Sequence, residues 1–280
     1  MVGWEGSDPI GGSLTAADPE PLPAGAPADE KARWHMRRFM ARAVRAAFEG
    51  MREAALREAS VELEEVLKVR PDLGTVRMNL HWVLAKLAEQ KRADDLLAAS
   101  TREPATHAQA LCYFARQLNQ RKDYDGALRL LEAARPISDY LGDEIGLERT
   151  RAAAGKLDVK GVVGAFEKRI EELEADLDHF HYAYHIGVAV ALPTGEIRTF
   201  FQKLSKDFLA VMGERAAKPD AKSIYTINLS WMSGRFLGPD AQAKVLAEAV
   251  PRLKHVFGFR HYFYKASYRL LETGEPDFPD

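Results

Sequence analysis

The sequence predicts an all-α protein in which antiparallel helix hairpins stack into an α-solenoid of about twelve helices. Three observations support this fold class. From Lys31 onward, apolar residues recur at steps of three and four, which is the spacing of one helix face. No Asn-Gly or Asp-Gly turn separates two alternating apolar runs, so β-hairpins are not indicated. Small residues also return at a constant interval between residues 59 and 161.

The composition is that of an ordinary soluble domain. Hydrophobic residues make up 46% of the 280 residues and charged residues 29%, and the net charge is −2. A chain so close to neutrality has no overall attraction to nucleic acid or to an anionic membrane. Its single cysteine, Cys112, excludes an internal disulfide. We find neither a signal peptide nor an apolar run of membrane-spanning length, so a cytoplasmic location is expected.

Changes in composition and periodicity predict four segments. Residues 1–29 are rich in Gly, Pro, Ala and acidic residues, and this composition buries too little apolar surface to fold, so we expect a flexible leader. Residues 30–175 carry regular helical repeats. Residues 176–273 continue as a degenerate extension of helix hairpins, and residues 274–280 form a tail.

The first predicted helix is basic and amphipathic, with Arg37, Arg38 and Arg42 beside an apolar row that includes Phe39 and Ala43. Such a helix suits an anionic membrane surface, a docked partner or the first helix of a solenoid. We favour the solenoid, because the segment that follows offers a core on which the apolar row is buried.

The repeat is the most informative feature of the sequence. Small residues lie 34 residues apart, and the residues four positions further on are apolar. A small residue at a fixed place in each unit lets two helices cross closely, where a larger side chain holds them apart. The small positions are Ala59, Ala93, Ala127 and Gly161, followed by Leu63, Leu97, Leu131 and Ala165.

The segment from Ala110 to Ala134 resembles a tetratricopeptide repeat. Its Lys122-Asp123-Tyr124 is similar to the family's Gly-Asp-Tyr turn, and Gly155 to Asp158 is similar again in the next unit. The sequence departs from the family at Leu111, Ala115 and Leu118, which replace Trp, Gly and Tyr, and at Glu148, where an apolar residue is usual. The resemblance covers about residues 40–175. It implies that the first helix of each hairpin lines a concave face.

Carrying the family's register onto this chain implies a set of concave-face residues that mixes aromatic, amide and cationic side chains with no acid. A groove of that chemistry suits an extended peptide, including an acidic one. The alternative is that the apolar members are core residues and the charges only solvate a helix. The implied binding residues are Arg45, Phe48, Asn79, Trp82, Lys86, Tyr113, Arg116 and Asn119, with Arg52, Thr75, Met78, Gln109 and Cys112 beside them. The family's carboxylate clamp is not predicted, because Val44 stands where that clamp requires Lys.

Helix pairs continue beyond residue 175, with less regular spacing. Pro193 ends one predicted helix, and Thr194 is a candidate N-cap for the next. The predicted helices are Leu177 to Leu192, Ile197 to Met212, Ala221 to Met232, Asp240 to Val256 and Arg260 to Glu272.

A candidate metal site lies in the first of these helices. Asp178, His181 and His185 are spaced by three and four residues and therefore share one helix face. Two imidazoles and a carboxylate are suitable ligands for zinc or iron. Three ligands from a single helix make an awkward geometry, and no second motif supplies the rest, so a polar-aromatic packing seam is the competing interpretation. An all-α metal protein or metal-dependent enzyme centred on these residues is the alternative function.

Catalytic signatures are missing from the sequence: there is no G-x-S-x-G, P-loop, G-x-G-x-x-G or H-E-x-x-H motif. The aromatic and basic residues between Phe257 and Leu271 are compatible with single-stranded nucleic acid, but a terminal amphipathic helix or a subunit interface explains them as well. We therefore expect a protein-interaction adaptor or scaffold rather than an enzyme. Its partner is expected to be a protein or peptide, with no cofactor, membrane or nucleic acid involved.

Overall fold

A computed structural model describes residues 19–48, 52–104, 107–135, 138–172, 194–219, 221 and 223–253. These residues form eleven helices and no strand, so the predicted all-α class is confirmed for them. Two of the predicted helices, Leu177 to Leu192 and Arg260 to Glu272, lie outside the described residues. The helices are α1 (Ala28–Phe48), α2 (Arg52–Val69), α3 (Gly74–Lys86), α4 (Gln90–Arg102), α5 (Ala108–Gln120), α6 (Tyr124–Ala133), α7 (Asp139–Gly155), α8 (Val159–Glu172), α9 (Gly195–Ala216), α10 (Ser223–Leu237) and α11 (Pro239–Leu253).

The chain divides into two compact units. Unit 1 comprises residues 1–118 and 129–135, and unit 2 comprises residues 119–128 and 136–280. Helices α5 and α6 therefore contribute residues to both units. None of the helices in the described part of the chain is long and apolar enough to cross a membrane.

Unit 1 is built from helices that pack in chain order, α1 on α2, α2 on α3 and α3 on α4. Ala59 of α2 and Ala93 of α4, two of the repeated small residues, have no accessible surface at all. Their single methyl groups let neighbouring helices approach closely, and the larger apolar residues fill the space around them. That core contains Ala32, Met36 and Phe39 of α1, Leu56, Leu63 and Val66 of α2, and Val76, Leu80, Val83 and Leu84 of α3.

The end of the predicted leader contacts α1. The indole Nε1 of Trp34 donates a hydrogen bond to the carbonyl of Glu20, 2.7 Å away, and Ala26 is buried. Arg38 lies over the same indole, with its guanidinium carbon 4.5 Å from the ring centroid. Glu20, within the predicted leader, is thus in contact with α1, whereas the composition of residues 1–29 favours a flexible leader.

Three of the hairpin turns share one backbone conformation. Ala88, Lys122 and Leu157 have φ angles of +57°, +63° and +56°, in the left-handed region that favours glycine. Each of these residues follows the last turn of a helix. The backbone N–H of Glu89 donates to the carbonyl of Leu84 (3.0 Å), and the backbone N–H of Asp158 donates to the carbonyl of Ala153 (2.9 Å), so two of the turns are Schellman motifs. These turn residues are 34 and 35 residues apart, so the hairpins repeat in the backbone as well as in the sequence.

The fourth small residue is not where the constant interval predicts it. Asp123 and Asp158 cap equivalent helices, accepting hydrogen bonds from the backbone N–H of Gly126 (2.9 Å) and Gly161 (3.0 Å). Gly161 is therefore the counterpart of Gly126, and the fully buried counterpart of Ala127 is Val162. The prediction that Gly161 continues the series is wrong by one residue. Gly161 is small, as the repeated pattern requires, but its role is to leave room for the capping carboxylate of Asp158.

Unit 2 has a separate aromatic core. Helix α9 packs on α7, α8 and α10, and α10 packs on α11. Phe166, Phe200 and Phe208 are almost fully buried, and the ring centroids of Phe166 and Phe208 are 5.9 Å apart in an edge-to-face contact. Phe201 stacks on Phe236 with centroids 4.5 Å apart.

Several contacts within each unit join hairpins that follow one another in the chain. In unit 1, His81 bonds to Tyr113 at a separation of 32 residues. In unit 2, the Nζ of Lys156 donates to Asp125 over 31 residues at 2.6 Å, and Gly155 leaves room for the ring of Tyr124. Separations close to one repeat length are typical of stacked hairpins.

Candidate functional site

The candidate site begins with helix α3, which has one apolar, buried side and one side that is partly exposed. Leu80, Val83 and Leu84 are buried in the core that α2 and α4 share, because they recur at helical spacing on one side. Asn79 and Trp82 lie at other positions of the same helix, where Asn79 is half-buried and Trp82 is 43% exposed. The sequence thus places a large aromatic side chain on the surface of a well-packed helix.

Lys86 accompanies Trp82 one helical turn further on. Its Nζ lies 5.9 Å from the centroid of the Trp82 ring, within the range of a cation–π contact. Lys86 is exposed, so the ammonium group remains available to solvent or to a ligand. This pair presents an apolar ring and a positive charge side by side.

Tyr113 of α5 contacts α3 through His81. The hydroxyl of Tyr113 is 2.9 Å from Nδ1 of the buried His81, and the rings of His81, Tyr113 and Phe114 make mutual edge-to-face contacts with centroids 5.4 to 5.8 Å apart. Burial raises the pKa of the Tyr113 phenol to about 12, although the charge of Arg116 acts in the opposite direction. Tyr113 is therefore neutral at physiological pH and is held in a fixed orientation.

Charge is distributed unevenly over the helices of unit 1. Helices α3 and α5 contain no Asp or Glu, whereas α2 and α4 together contain seven. Acids in or next to these second helices pair with cations: Arg57 bonds at 3.1 Å to Glu89, the residue before α4, and Arg92 bonds to Glu64 and Glu89. On α3, Arg77 is occupied by the carbonyls of Pro71 (3.0 Å) and Glu103 (2.9 Å). Of the other cations of α3 and α5, Lys86 is exposed and Arg116 is half-buried.

We name the exposed or half-exposed residues Asn79, Trp82, Lys86, Tyr113 and Arg116 the Trp82 face. All five were predicted to bind a partner, and all five belong to unit 1. Their chemistry is aromatic, amide and cationic, as the sequence indicates.

Asn119 does not share this exposure. Its side chain has no accessible surface, and its Nδ2 donates to the main-chain oxygen of Glu148 (3.0 Å) and to the Glu148 carboxylate (2.9 Å). We therefore do not count Asn119 in the Trp82 face. Thr75, Met78 and Cys112, also implied by the family's register, are buried.

The remaining predicted site residues have no described side-chain environment. Arg45 and Phe48 fall within α1, but their side chains lie outside the described residues. Arg52 is the first residue of α2, so it does not belong to the first helix of its hairpin as the register implies. The candidate metal ligands Asp178, His181 and His185 lie in the segment 173–193, outside the described residues. No group of three His, Cys, Asp or Glu residues suited to a metal occurs in the part of the chain that the structure describes.

Unit 2 contains buried charges that the sequence analysis did not single out as partners. Glu148 is fully buried and pairs with Arg151 at 3.0 Å as well as with Asn119. Arg169, also buried, pairs with Asp143 at 3.0 Å, and its guanidinium lies over Gly142, where a Cβ would approach to 2.4 Å. With the spacing of 34 residues, Glu148 falls on a position where the repeat family has an apolar residue, and the sequence gives no other signal for these buried charges.

The structure is thus that of an all-α protein whose helices pack in chain order, with Trp82 exposed on α3, a helix that contains no acidic residue. Comparison with known protein families, with curated proteins and with solved structures found no match to this chain.

Proposed function

We propose that this protein is a cytoplasmic adaptor or scaffold with a tetratricopeptide-like arrangement of hairpins, and that its Trp82 face binds a peptide or a segment of a partner protein. The repeated left-handed turns at Ala88, Lys122 and Leu157 support the hairpin arrangement. The contacts between successive hairpins, such as His81 with Tyr113, support stacking.

The exposure of Trp82 is the observation on which the proposed binding function rests. Trp34 is half-buried and bonded to Glu20, and Trp231 is only 7% exposed, whereas Trp82 exposes 43% of its surface. Covering an exposed indole of this size contributes about 2 kcal/mol to association. Tryptophan is also the residue type most enriched among the residues that dominate binding energy in protein interfaces.

The surroundings of Trp82 favour a peptide over a small molecule. Asn79 offers an amide that is able to pair with a peptide backbone, and Tyr113 is fixed by His81. A side chain already held in place loses little conformational entropy when a ligand binds, so the face is organised before the partner arrives.

Site-specific crosslinking tests the proposal. A photoreactive phenylalanine analogue replaces Trp82 in one variant and Val61 in another, and both are irradiated in cell lysate before mass spectrometry. Val61 of α2 is the matched control, because it is apolar, belongs to the same unit and is 54% exposed. We expect a protein that is crosslinked from position 82 and not from position 61.

The purified partner then gives a quantitative measurement. Trp82→Ala is expected to weaken its binding by at least about tenfold, which corresponds to the loss of one buried aromatic anchor. Val61→Ala is expected to leave binding unchanged. Equal recovery from both crosslinking positions, or equal affinity of the two alanine variants, rules out the Trp82 face as the binding site.

A further inference from the structure

We infer that Trp34, His35 and Arg38 of α1, which we name the Trp34 site, bind a proline-rich segment of a partner protein in an extended conformation. Residues 19–23 of this chain occupy the Trp34 site in the free protein and stand in for that partner. The site uses no residue of the Trp82 face, so this inference does not rest on the proposed function.

The sequence of the internal segment fixes its conformation. Residues 19–23 read Pro-Glu-Pro-Leu-Pro, so every one of them either is a proline or precedes one. The ring of proline fixes φ at about −65°, and a residue before proline is restricted to extended conformations. The segment is therefore held close to polyproline II, a conformation that leaves its main-chain carbonyls without partners inside the segment. In agreement with this, residues 19–23 belong to no helix or strand of the structure.

A tight turn brings this segment back to α1. The backbone N–H of Ala26 donates to the carbonyl of Pro23 at 3.2 Å, and Gly25 has a φ of +85°, as the third residue of a type II turn requires. The carbonyl of Glu20 then accepts the hydrogen bond from Nε1 of Trp34, 2.7 Å away. Aromatic side chains form the grooves in which proteins bind polyproline II segments, and the indole adds a donor for a carbonyl that such a segment leaves unpaired.

The Trp34 ring is held in place by its neighbours. The guanidinium carbon of Arg38 lies 4.5 Å from the centroid of the indole, and the imidazole of His35 makes an edge-to-face contact with it at 4.9 Å. Both neighbours pair with the buried carboxylate of Glu62 on α2, Arg38 through Nε at 2.9 Å and His35 through Nδ1 at 2.7 Å. A ring fixed in this way loses little conformational entropy when a segment binds, so the site is organised in advance.

The internal segment is held loosely enough for a partner to displace it. Glu20, Pro21 and Pro23 are exposed, and the hydrogen bond between Trp34 and Glu20 is exposed to solvent, where such a bond contributes only modestly. A short tether keeps the segment close to its site, so it competes with any external ligand. A proline-rich partner that makes more contacts replaces it, with an apparent affinity that is reduced in proportion to the fraction of sites already occupied.

NMR of the full-length protein with isotope-labelled tryptophan tests the occupancy of the site, because each indole N–H gives its own signal. Trp34→Phe identifies the signal of Trp34, and the signals of Trp82 and Trp231 serve as internal references. We expect the Trp34 signal to be independent of protein concentration, since the contact with residues 19–23 lies within one chain. A signal that changes with concentration shows that the segment docks between copies of this chain, and it overturns the inference.

An opened variant, in which serine replaces Pro19, Pro21 and Pro23, frees the internal segment without altering α1. We expect its Trp34 signal to differ from that of the unaltered protein, because the hydrogen bond to Glu20 is lost. An unchanged signal shows that prolines do not hold the segment on the site, and it overturns the inference.

The probe for binding is a synthetic peptide with the sequence of residues 19–24, acetylated and amidated at its ends. We expect the opened variant to bind it, with the Trp34 signal returning to its position in the unaltered protein. The unaltered protein is expected to bind the peptide at least about tenfold more weakly, because its site is already occupied. A control peptide with alanine in place of each proline is expected to bind the opened variant at least about fivefold more weakly, because it is not held in polyproline II beforehand.

Two matched changes in the opened variant locate the peptide. Trp34→Phe keeps an aromatic ring and removes the N–H donor, so we expect binding to weaken about fivefold, the effect of one hydrogen bond. Trp82→Phe is expected to leave the affinity unchanged. Thermal unfolding verifies that both variants are folded. If Trp34→Phe impairs folding, the movement of the Trp34 signal in the opened variant is sufficient, because the substitutions of that variant lie outside the helices.

The remaining outcomes are decisive in the same way. The inference is overturned if the opened variant does not bind the peptide, or if the alanine peptide binds equally well. It is also overturned if the peptide moves the Trp82 signal and not the Trp34 signal, a result that supports the proposed function of the Trp82 face instead. Binding at Trp34 that depends on the prolines of the peptide supports the inference and leaves the test of the Trp82 face unaffected.

Discussion

The same repeat position serves different purposes in the two units. Tyr113 of unit 1 and Glu148 of unit 2 are 35 residues apart, which is the local repeat length set by their turns. Tyr113 is half-exposed on the Trp82 face, whereas Glu148 is fully buried and bonded to Asn119 and Arg151. The difference teaches that a repeated backbone does not imply a repeated function. Unit 1 leaves this position partly exposed to solvent, and unit 2 uses it to hold helices together.

The largest effect is expected from removing the buried carboxylate of unit 2. Glu148→Ala removes the carboxylate that pairs with the Arg151 guanidinium and one of the two acceptors of the buried Asn119 amide, so unit 2 is expected to lose about 3 kcal/mol of unfolding free energy. Urea denaturation measures this loss through the fluorescence of Trp231, in a background where the other three tryptophans are phenylalanine.

Tyr113→Phe is the matched change in unit 1. It removes only the hydrogen bond to His81 and is expected to cost about 1 kcal/mol. Equal losses for the Glu148 and Tyr113 variants contradict the contrast between the two positions.

A smaller effect is expected from two glycines of unit 2 that differ in their surroundings. Gly142→Ala places a methyl group 2.4 Å from the Arg169 guanidinium, so the ion pair with Asp143 has to shift, and we expect a loss of about 2 kcal/mol. Gly164→Ala meets nothing within 4 Å and is expected to stabilise α8 by about 0.5–1 kcal/mol, because alanine has the higher helix propensity. Thermal unfolding of both variants measures the difference. A gain in stability for Gly142→Ala shows that Arg169 is not held as described.

The smallest effect concerns one tyrosine in each unit. Burial raises the pKa of Tyr113 and of Tyr225 to about 12, from an ordinary value of 10.0. The neutral phenol is favoured in the folded state, so this contribution to stability is complete below pH 10 and is lost as the pH rises towards 12. Both rings are partly exposed, and after allowance for solvent screening we expect about 1 kcal/mol from each.

Urea denaturation of Tyr113→Phe and Tyr225→Phe between pH 9 and pH 12 measures these contributions. Each variant is expected to lose less stability than the unaltered protein over this interval. If either variant loses as much unfolding free energy between pH 9 and pH 12 as the unaltered protein does, burial does not raise the pKa of that tyrosine.

Sequence periodicity was sufficient to predict that the described part of the chain is helical and that Trp82 lies outside the core. Hydrophobic spacing distinguishes Leu80 and Val83 from Trp82 because all three lie on one continuous helix, where side-chain direction follows from residue number. The family register then identified Trp82, Tyr113 and Arg116 as candidate partner-binding residues. The direction of side chains along a single helix can be predicted from the sequence alone.

Contacts between residues far apart in the sequence could not be predicted in the same way. Asn119 was predicted to bind a partner, yet its side chain bonds to Glu148, which is 29 residues further along the chain, and no local pattern links an amide to a carboxylate at that distance. The one-residue shift at Val162 was missed for a related reason. Gly161 has the size that the pattern requires, and only the hydrogen bond to Asp158 shows that it occupies a capping position.

The left-handed turns have a consequence for how the hairpins are stabilised. Ala88, Lys122 and Leu157 adopt a conformation that costs an ordinary residue about 1 kcal/mol. The packing of the two helices of each hairpin has to offset that cost, so the local sequence of the turn does not by itself determine where the chain reverses.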